Sequence, residues 1–523
     1  MQREEIQIQY ADPCINIALD TLAKGKQALF FVNTKPSAEK LAEEISKKVK
    51  GISLPELSEA ALTALPHPTQ QCKRLAAIVH KGIAFHHAGL TAKQRELIEE
   101  EFRKGTIKVI CSTPTLAIGL DLPAFRAVIR DLKRYGGNWG MQDIPVLEYQ
   151  QMAGRAGRPS YDAWGEALTI AKTEEEQEEI LRNYIRAPPE NIYSKLAVEP
   201  VLRTYLLSLI SSGYVKTYDE ILSFFSKTFW AHQYKDMHKL ESIIHRMLEL
   251  LQDWEFIISS GSIQDEFVSA SKLGEEQSAS YRATRLGTRV AELYLDPYTA
   301  HQLITAMYAS VKKETVLFSV LHMIAHTLEM RPLLRVKSRE HDIIQAALMT
   351  YEDHLLFVEP NAYDLEYNEF LGSIKTALFL QEWCDEMDEQ YLLEKYAIRP
   401  GEIKAKLNIS DWLLYSCIEL AKILSLHELQ NYMSKVRLRV QHGVKEEVIP
   451  LLQLKGIGRI RARKLFKAGM RTLGDIKRID ISSLKQLLGP GIATSILKQV
   501  GREEQEEISP RKRIGQMGLG KYS

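Results

Sequence analysis

The sequence lacks several features that would each indicate a particular class of protein. Its five cysteines are far apart and form no CxxC pair, which argues against a disulfide framework and a zinc site and predicts reduced thiols. No apolar run approaches the roughly 18 residues that a bilayer-spanning helix needs. The first residues also lack the apolar centre of a signal peptide. We therefore expect a cytoplasmic protein that has no metal site and does not enter a membrane.

Two motifs of nucleotide chemistry are also absent. Neither the pattern GxxxxGK[ST] nor the pattern DExH occurs in the sequence. The first pattern forms a phosphate-binding loop (P-loop), whose backbone and lysine hold the β- and γ-phosphates of a nucleotide and whose hydroxyl binds Mg²⁺. Without these motifs the chain is not expected to hydrolyse ATP alone. Such a reaction would need a P-loop and DExH domain supplied in cis or in trans.

The length of 523 residues predicts roughly three to five domains. Short apolar runs alternate with helical patterns between residues 26 and 172, which predicts a parallel α/β sheet. Helix-rich sequence follows, beginning with three amphipathic helices and a short strand pair that indicate a winged helix. We thus predict an α/β domain followed by mostly α-helical domains. The expected divisions are 1–182 (α/β), 183–283 (winged helix), 284–441 (helical), 442–501 (a glycine-punctuated helical module) and 502–523 (a disordered basic tail).

Charge is distributed unevenly along the chain. Residues 451–523 contain 16 Lys and Arg against 6 Asp and Glu, a net charge of +10, so the whole-chain value of +1 leaves the first 450 residues at −9. A basic end on a mildly acidic body predicts that contacts with a polyanion are concentrated late in the chain. Charge alone is also consistent with a solvated, lysine-rich end.

The most specific motif is QMAGRAGRP, which begins at Gln151. Arg155 and Arg158 are three residues apart and would share one side of a helical turn, with small residues between them. Guanidinium groups are planar, permanent cations that suit the charge of a phosphoryl group in its transition state. Two arginines alone would be read as a surface ion-pairing patch, whereas the complete string favours a nucleotide site.

Polar residues end two of the predicted strands. FFVNT ends at Thr34, and ICSTPTLAIGLDLP contains Thr113, Gly119 and Asp121. Short hydroxyl side chains suit the phosphates of a nucleic-acid strand, whereas the Asp121 carboxylate suits a ribose hydroxyl, water or an arginine. Each string taken singly is ordinary turn chemistry. Their order along the chain, with HHAGL between them, is specific.

FVNT, HHAGL, TPTLAIGLDLPA and QMAGRAGRP together resemble motifs IV to VI of superkiller-type superfamily 2 helicases. From about residue 15 to residue 500 the chain is similar to archaeal Holliday-junction-migration (Hjm) helicases. The resemblance implies a second RecA-like motor domain, a winged helix, a helical ratchet domain and a helix–hairpin–helix module, without the first RecA-like domain. It implies ATP and Mg²⁺ as cofactors, and single-stranded and forked DNA as partners.

By this resemblance, the arginine pair at 155 and 158 supplies the arginine fingers, and Gln151 approaches the nucleotide. Gly119 and Asp121 would also lie near the nucleotide, although close relatives usually carry Asn where this chain has Asp121. Thr34 and Thr113 would hold the tracking strand. The implied activity is three-prime to five-prime unwinding of forked or junction DNA in replication-coupled repair. A non-catalytic DNA-binding adaptor and an RNA helicase of the same branch are the alternatives.

Two further segments carry aromatic residues that are candidates for DNA contact. The glycine-rich turn around Tyr135 and Trp139 predicts a hairpin whose rings wedge into a duplex end, or else a plain surface loop. Lys375 and Trp383 lie near one face of an apolar helix. Physical chemistry alone favours a core tryptophan at position 383. The resemblance to the ratchet helix instead implies a ring that stacks on a base and a lysine that contacts a phosphate.

The end of the chain carries two candidate binding segments. LKGIGRIRAR predicts a helix–hairpin–helix turn, in which a glycine turn and a basic helix grip a phosphate without regard to base sequence, unless the helices are purely structural. Its candidate residues are Gly456, Gly458, Arg459, Arg461 and Arg463. Gln516, Leu519 and Tyr522 fit the spacing of a sliding-clamp peptide, although one of its two aromatic residues is missing and short patterns of this kind arise by chance.

Overall fold

The computed structural model describes residues 5–65, 67–118, 121–135, 140–158, 162–196, 198–260 and 280–502. Several predicted contact residues therefore lie outside the described residues. They are Gly119, Trp139 and the clamp-peptide residues Gln516, Leu519 and Tyr522. Within the described ranges, no helix combines the length and the apolar character that crossing a membrane requires.

The first part of the chain folds around a five-stranded parallel sheet in the order β2-β3-β1-β4-β7. Strands β1 to β4 are buried throughout, as expected for a parallel sheet covered on both faces. The strands are β1 (Ala28–Phe31), β2 (Ile83–His86), β3 (Val109–Ser112), β4 (Arg126–Ile129) and β7 (Glu166–Thr169). The helices are α1 (Pro13–Ala23), α2 (Lys35–Ser46), α3 (Pro55–Leu62), α4 (Gln70–Val79), α5 (Ala92–Arg103), α6 (Val146–Ala153) and α7 (Glu174–Ile180).

This sheet confirms the predicted parallel α/β region. Strands β1 and β3 coincide with the apolar runs FFVNT and ICSTPTLAIGLDLP, and β4 and β7 lie within the predicted α/β region. Strand β2 and the helix pair α3–α4 were not predicted. An antiparallel hairpin, formed by β5 (Lys133–Tyr135) and β6 (Met141–Asp143), projects from the domain with all six residues exposed. The segments on either side of the glycine-rich turn therefore pair as the two strands of a hairpin, whereas residues 136–139 of the turn lie outside the described residues.

The second region contains the predicted helices followed by a strand pair. Helix α9 begins with a reciprocal capping box, in which the side chains of Thr217 and Glu220 each accept a hydrogen bond from the other residue's backbone N–H. These capping residues mark the N-terminal boundary of the helix in the sequence. Strands β8 and β9 pair antiparallel and form the wing. The elements are α8 (Glu199–Ser211), α9 (Tyr218–Ser226), α10 (Phe229–Tyr234), α11 (Met237–Asp253), β8 (Ile257–Ser260) and β9 (Ser280–Ala283). The winged-helix prediction is confirmed, with the short α10 in addition.

Eight helices follow in the described part of the chain, and they share a core with the winged helix. One cluster of buried apolar side chains runs from Leu202 to Val440. Gly287 in α12 lies so close to the Phe256 carbonyl group that a Cβ atom there would overlap it. The predicted division at residues 283 and 284 therefore falls inside a continuous core. The helices are α12 (Arg285–Glu292), α13 (Pro297–Ser310), α14 (Leu317–Ala325), α15 (His341–Tyr351), α16 (Tyr367–Cys384), α17 (Glu389–Tyr396), α18 (Pro400–Ile423) and α19 (His427–His442).

The last described module has a core of its own, formed by buried residues between Val444 and Leu497. Glycines with positive φ stand at its two tight turns, Gly456 at +87° and Gly489 at +86°, where other residues would be strained. The module contains α20 (Arg459–Lys467), α21 (Leu473–Arg478), α22 (Ile481–Leu488) and α23 (Pro490–Gln499). This arrangement of paired helices around glycine turns is the one that the sequence predicts.

Candidate nucleotide and nucleic-acid interface

Thr34 and Thr113 both lie beyond the carboxyl edge of the sheet, because the adjacent strands β1 and β3 end at Phe31 and Ser112. Thr34 is exposed and caps α2, since its hydroxyl oxygen accepts a hydrogen bond from the Ser37 N–H (3.2 Å). Thr113 is nearly buried, and its hydroxyl lies 2.9 Å from that of the exposed Thr115. The first turn of α2 and this row of hydroxyls offer hydrogen-bond donors that suit a phosphate.

The loop that carries the arginine pair is held against the start of β4. The Gly157 N–H donates to the Ala124 carbonyl oxygen (2.7 Å), and the Ala124 N–H donates to the Arg155 carbonyl oxygen (2.9 Å). Gly157 has a φ of +94°, and a Cβ atom on Gly165 would overlap its backbone. Both positions therefore require glycine. Gln151, in α6, is exposed.

Arg155 is tied to the backbone after β3. Its guanidinium donates from Nη2 and Nε to the Ala117 carbonyl oxygen (2.6 and 3.2 Å). Its Nη1 atom lies 3.7 Å from the carboxylate of Asp121, whose side chain is 94% exposed. The sequence left a ribose hydroxyl, water or an arginine open as the partner of Asp121. In the structure the partner is Arg155. About a quarter of the Arg155 side chain stays exposed.

Arg158 is turned toward its own domain, which corrects the expectation that the two arginines share one side of a helical turn, because α6 ends at Ala153 and the two guanidinium groups bind different partners. Its Nε and Nη2 atoms donate to the Asp162 carboxylate (2.7 and 3.2 Å), and Nη1 donates to the Gln27 side-chain oxygen (2.6 Å). Lys26 also donates to Asp162, which is almost fully buried. The hydrogen bonds from Arg158, with those from Lys26, lower the pKa of Asp162 despite its burial. Arg158 must leave this carboxylate before it can meet a phosphate.

Arg158 and the threonine site lie at opposite ends of the sheet. Gln27, the partner of Arg158, directly precedes β1, whereas Thr34 follows the end of that strand. The four residues of β1 correspond to roughly 13 Å. A nucleotide at Arg158 and a strand at the threonines would therefore not compete for space.

Lys375 and Trp383 do not form the open surface that the resemblance implies. Lys375 is buried, and its ammonium group donates to the Glu340 carboxylate (2.6 Å) and the Arg335 carbonyl oxygen (2.9 Å). Burial alone would raise the pKa of the Glu340 carboxyl, but the hydrogen bonds from Lys375 and from the Lys337 N–H, together with the charges of these two lysines, outweigh burial and lower it. In this conformation Lys375 holds α16 to a neighbouring segment and cannot reach a phosphate.

Trp383 is also covered. Its Nε1–H donates to the Val440 carbonyl oxygen (2.8 Å), and the Arg459 guanidinium lies over the ring at 4.9 Å from its centroid. Gly443 packs on another part of the ring, where a Cβ atom would come within 2.7 Å. With 9% of its surface exposed, Trp383 has the packing of a core residue. A buried tryptophan at this position is what physical chemistry alone predicts from the sequence.

Replacing Lys375 with methionine should lower stability rather than DNA affinity. The change leaves the Glu340 carboxylate without its ammonium partner, which costs roughly 3–5 kcal/mol of unfolding free energy because the pair is largely buried. Urea unfolding and single-stranded DNA titration of the same preparation measure the two quantities. The double variant with Glu340→Gln should recover part of the stability. Weaker DNA binding at unchanged stability would restore the phosphate-contact interpretation.

The three predicted arginines of α20 have different roles. Arg459, besides covering Trp383, donates to the Met387 carbonyl oxygen (2.5 Å), and burial lowers the pKa of its guanidinium. Arg463 donates twice to Glu386 (2.5 and 2.7 Å), which raises its pKa, and once to Glu447. These two arginines fasten the module to the helical domain, contrary to the prediction that they bind DNA.

Arg461 is exposed, and its guanidinium donates only locally, to the Gly456 carbonyl oxygen (2.7 Å). Lys464 and Lys467 are exposed near it and form no ion pair within the described residues. All three line a cleft of about 800 Å³ between α20 and the end of α16. The two lysines are not among the residues predicted to contact DNA, although their spacing of three residues along one helix indicates a shared face.

The hairpin contacts the helical domain through one of its predicted residues. Tyr135 is 57% exposed, and the Arg335 guanidinium lies 5.9 Å from the centre of its ring.

No cluster of three His, Cys, Asp or Glu side chains suited to a metal ion occurs in the ranges that the structure describes.

Comparisons with known proteins agree with this architecture. Family models for an archaeal helicase domain 4, a helicase conserved C-terminal domain and a helix-turn-helix domain match residues 318–443, 65–160 and 165–258, respectively. These matches fall on the helical region, the parallel sheet and the winged helix.

Several curated proteins named ATP-dependent DNA helicase Hel308 are similar over nearly the whole chain. The one from Pyrococcus horikoshii is 38% identical over 506 residues, the one from Pyrococcus abyssi 39% over 506, and the one from Methanocella arvoryzae 36% over 517. Each alignment covers 95% of this chain and 67% of the relative. The resemblance to archaeal superfamily 2 helicases is thereby confirmed, and the chain belongs to the Hel308 helicase family.

Proposed function

We propose that this chain provides the second motor domain and the DNA-gripping domains of an ATP-dependent DNA helicase. It moves three-prime to five-prime and unwinds forked or junction DNA in replication-coupled repair, as Hjm-type enzymes are expected to do. The observation that carries the proposal is the arrangement of one parallel sheet, which bears the Arg158 guanidinium at one end and a row of hydroxyls at the other. The names of the Hel308 relatives agree with it.

ATP and Mg²⁺ would be held mainly by a P-loop and DExH domain, in cis or in trans. Arg155 and Arg158 fit such a nucleotide because they are fixed cations on a loop whose backbone is braced by β4. Gln151 is exposed beside them, and the Asp121 carboxylate stands free enough to accept a ribose hydroxyl. The chain alone, which contains no phosphate-binding motif, is then inactive.

DNA would bind along a surface separate from the nucleotide site. Thr34 and Thr113 hold one strand at the carboxyl edge of the sheet, and the hairpin bearing Tyr135 stands where a duplex could be split. The cleft beside α20, with Arg461 and its neighbouring lysines, receives the single strand later on. The sequence pattern at residues 516–522 additionally suggests a sliding-clamp contact.

One observation favours a second candidate, a DNA-binding adaptor without motor function. The Arg158 guanidinium is already satisfied by Asp162 and Gln27 within its own domain. A chain that uses Arg158 only to brace its fold would keep the DNA contacts and lose the nucleotide contacts. The two candidates make opposite predictions for the assembled protein.

The deciding experiment is reconstitution with the P-loop and DExH domain of a Hel308 relative. The mixture should hydrolyse ATP several-fold faster with single-stranded DNA than either component alone, and it should unwind forks with a three-prime tail. Forks with a five-prime tail provide the control for direction. DNA binding by the chain, without any stimulated hydrolysis in a mixture shown to form a complex, would favour the adaptor.

A further inference from the structure

The HHAGL loop after β2 lies directly against the start of α18 in the helical domain. The Gly401 N–H donates to the Gly89 carbonyl oxygen (3.0 Å). A Cβ atom on Gly401 would overlap the carbonyl oxygens of Ala88 and Leu90, and one on Gly89 would overlap the Arg399 side chain. The two backbones therefore touch without room for a side chain between them.

A buried carboxylate organises the charged part of this contact. Glu39 of α2 is 3% exposed. Its carboxylate accepts hydrogen bonds from Arg399 Nε (3.0 Å) and Arg74 Nη1 (2.6 Å), and it lies 3.1 Å from His87 Nε2. The His87 Nδ1 atom accepts the Gly89 N–H (3.1 Å), so the proton of the neutral ring is on Nε2 and points at Glu39. Glu39 thereby connects the loop, α4 and the residue that begins α18.

A second ion pair lies next to the first. Lys35 follows Thr34 and forms an ion pair with Glu402 in the first turn of α18. Glu402 also accepts the Arg399 N–H (2.9 Å), so this carboxylate both caps α18 and holds α2. The residue after Thr34 on the hydroxyl-bearing edge of the sheet thus forms an ion pair with the helical domain.

Glu39 is charged and His87 is neutral near neutral pH. Burial alone would raise the pKa of Glu39, but the His87 hydrogen bond and the nearby Arg399 and Arg74 charges outweigh it and lower the pKa to about 2. Burial lowers the pKa of His87, which keeps the imidazole neutral. The pattern of donors and acceptors described above is therefore the one present under working conditions.

We infer that this α18 joint, consisting of Gly89, Gly401, Glu39, Arg399 and the Lys35–Glu402 pair, couples the motor sheet to the helical domain so that both move as one body. Glu39 is its positioning residue. The inference rests on the proposed motor function, because it assigns to the joint the transmission of the motor stroke to the DNA-gripping domains. Without the joint, ATP would still be hydrolysed but the stroke would be lost.

Gly401→Ala tests the joint with a closely matched control. Gly491→Ala makes the same change after a proline at the start of α23, where a Cβ atom meets open space. In the reconstituted motor, Gly401→Ala should reduce fork unwinding by roughly tenfold while DNA-stimulated ATP hydrolysis stays within about twofold. Gly491→Ala should change neither rate. A parallel fall of both rates in Gly401→Ala would overturn the inference.

A readout on the chain alone separates failure of the joint from failure of the motor proposal. Spin labels on cysteines introduced at the exposed Lys40 and Glu428 report the distance between α2 and α19, since the five native cysteines are buried. The distance distribution should be narrow in the parent and in Gly491→Ala, and broad in Gly401→Ala. A distribution that stays narrow in Gly401→Ala would refute the joint, whatever the motor does. If Gly401→Ala does not fold, Glu39→Gln, which keeps the side-chain shape, takes its place with the same expected results.

Discussion

Replacing Arg158 with alanine is expected to reduce DNA-stimulated ATP hydrolysis by the reconstituted motor by roughly 10³- to 10⁵-fold, the range measured for arginine fingers. The reason is electrostatic, because a guanidinium aimed at the transferring phosphoryl group stabilises charge that develops in the transition state. DNA affinity should be nearly unchanged, since Arg158 lies at the opposite end of the sheet from Thr34. ATP turnover with saturating DNA and anisotropy titration without nucleotide measure the two effects.

The contact with Asp162 makes this prediction sharper. If the carboxylate only stores Arg158 between turnovers, Asp162→Asn should weaken the two hydrogen bonds and preserve most of the hydrolysis. If the pair only braces the fold, Asp162→Asn and Arg158→Ala should both lower the unfolding midpoint. The two variants should then have the same rate of DNA-stimulated ATP hydrolysis. Arg158→Lys, which keeps the charge but loses the planar fork, should recover little activity. Substantial turnover by Arg158→Ala would exclude the finger assignment.

The sheet could largely be predicted from the sequence because its strands are buried on both faces. A strand such as β1 is then an uninterrupted apolar run that ends in a polar pair, and this pattern is local. Strand β2 escaped prediction because only three apolar residues precede the histidines of HHAGL, so the run looks too short and too polar. The winged helix could be predicted because capping residues such as Thr217 mark where its helices begin.

The partners of the site residues could not be predicted in the same way, because they come from distant parts of the chain. Helical spacing places Lys375 and Trp383 near one face of α16, but it does not show what packs on that face. Glu340 reaches Lys375 from another helix, and Arg459 covers Trp383 from another module. Sequence motifs thus predict which residues are candidates for contact with a ligand. Ion pairs and hydrogen bonds with neighbouring groups decide which of those residues remain free to bind it.

This competition also predicts where the last module binds DNA. Of the cations in α20, Arg459 and Arg463 already have partners in the helical domain, whereas Arg461, Lys464 and Lys467 are exposed along the cleft. A phosphate can attract an exposed ammonium or guanidinium group without breaking an existing ion pair. The exposed cations should therefore carry the electrostatic part of DNA binding, and the two engaged arginines should carry stability.

The triple variant Arg461→Ala, Lys464→Ala and Lys467→Ala should weaken single-stranded DNA binding by roughly 10- to 100-fold at moderate salt and reduce the slope of log K against log[salt] by about 2, since each lost phosphate contact removes about 0.7. Anisotropy titrations at several salt concentrations measure both. A control with equal charge loss replaces Lys477, Arg478 and Lys498, which are exposed in the same module and do not line the cleft. Arg463→Gln should instead lower the unfolding midpoint with the slope unchanged, because it removes the bonds to Glu386. Equal slopes for the two triple variants would show that the module attracts DNA through its net charge and not through this cleft.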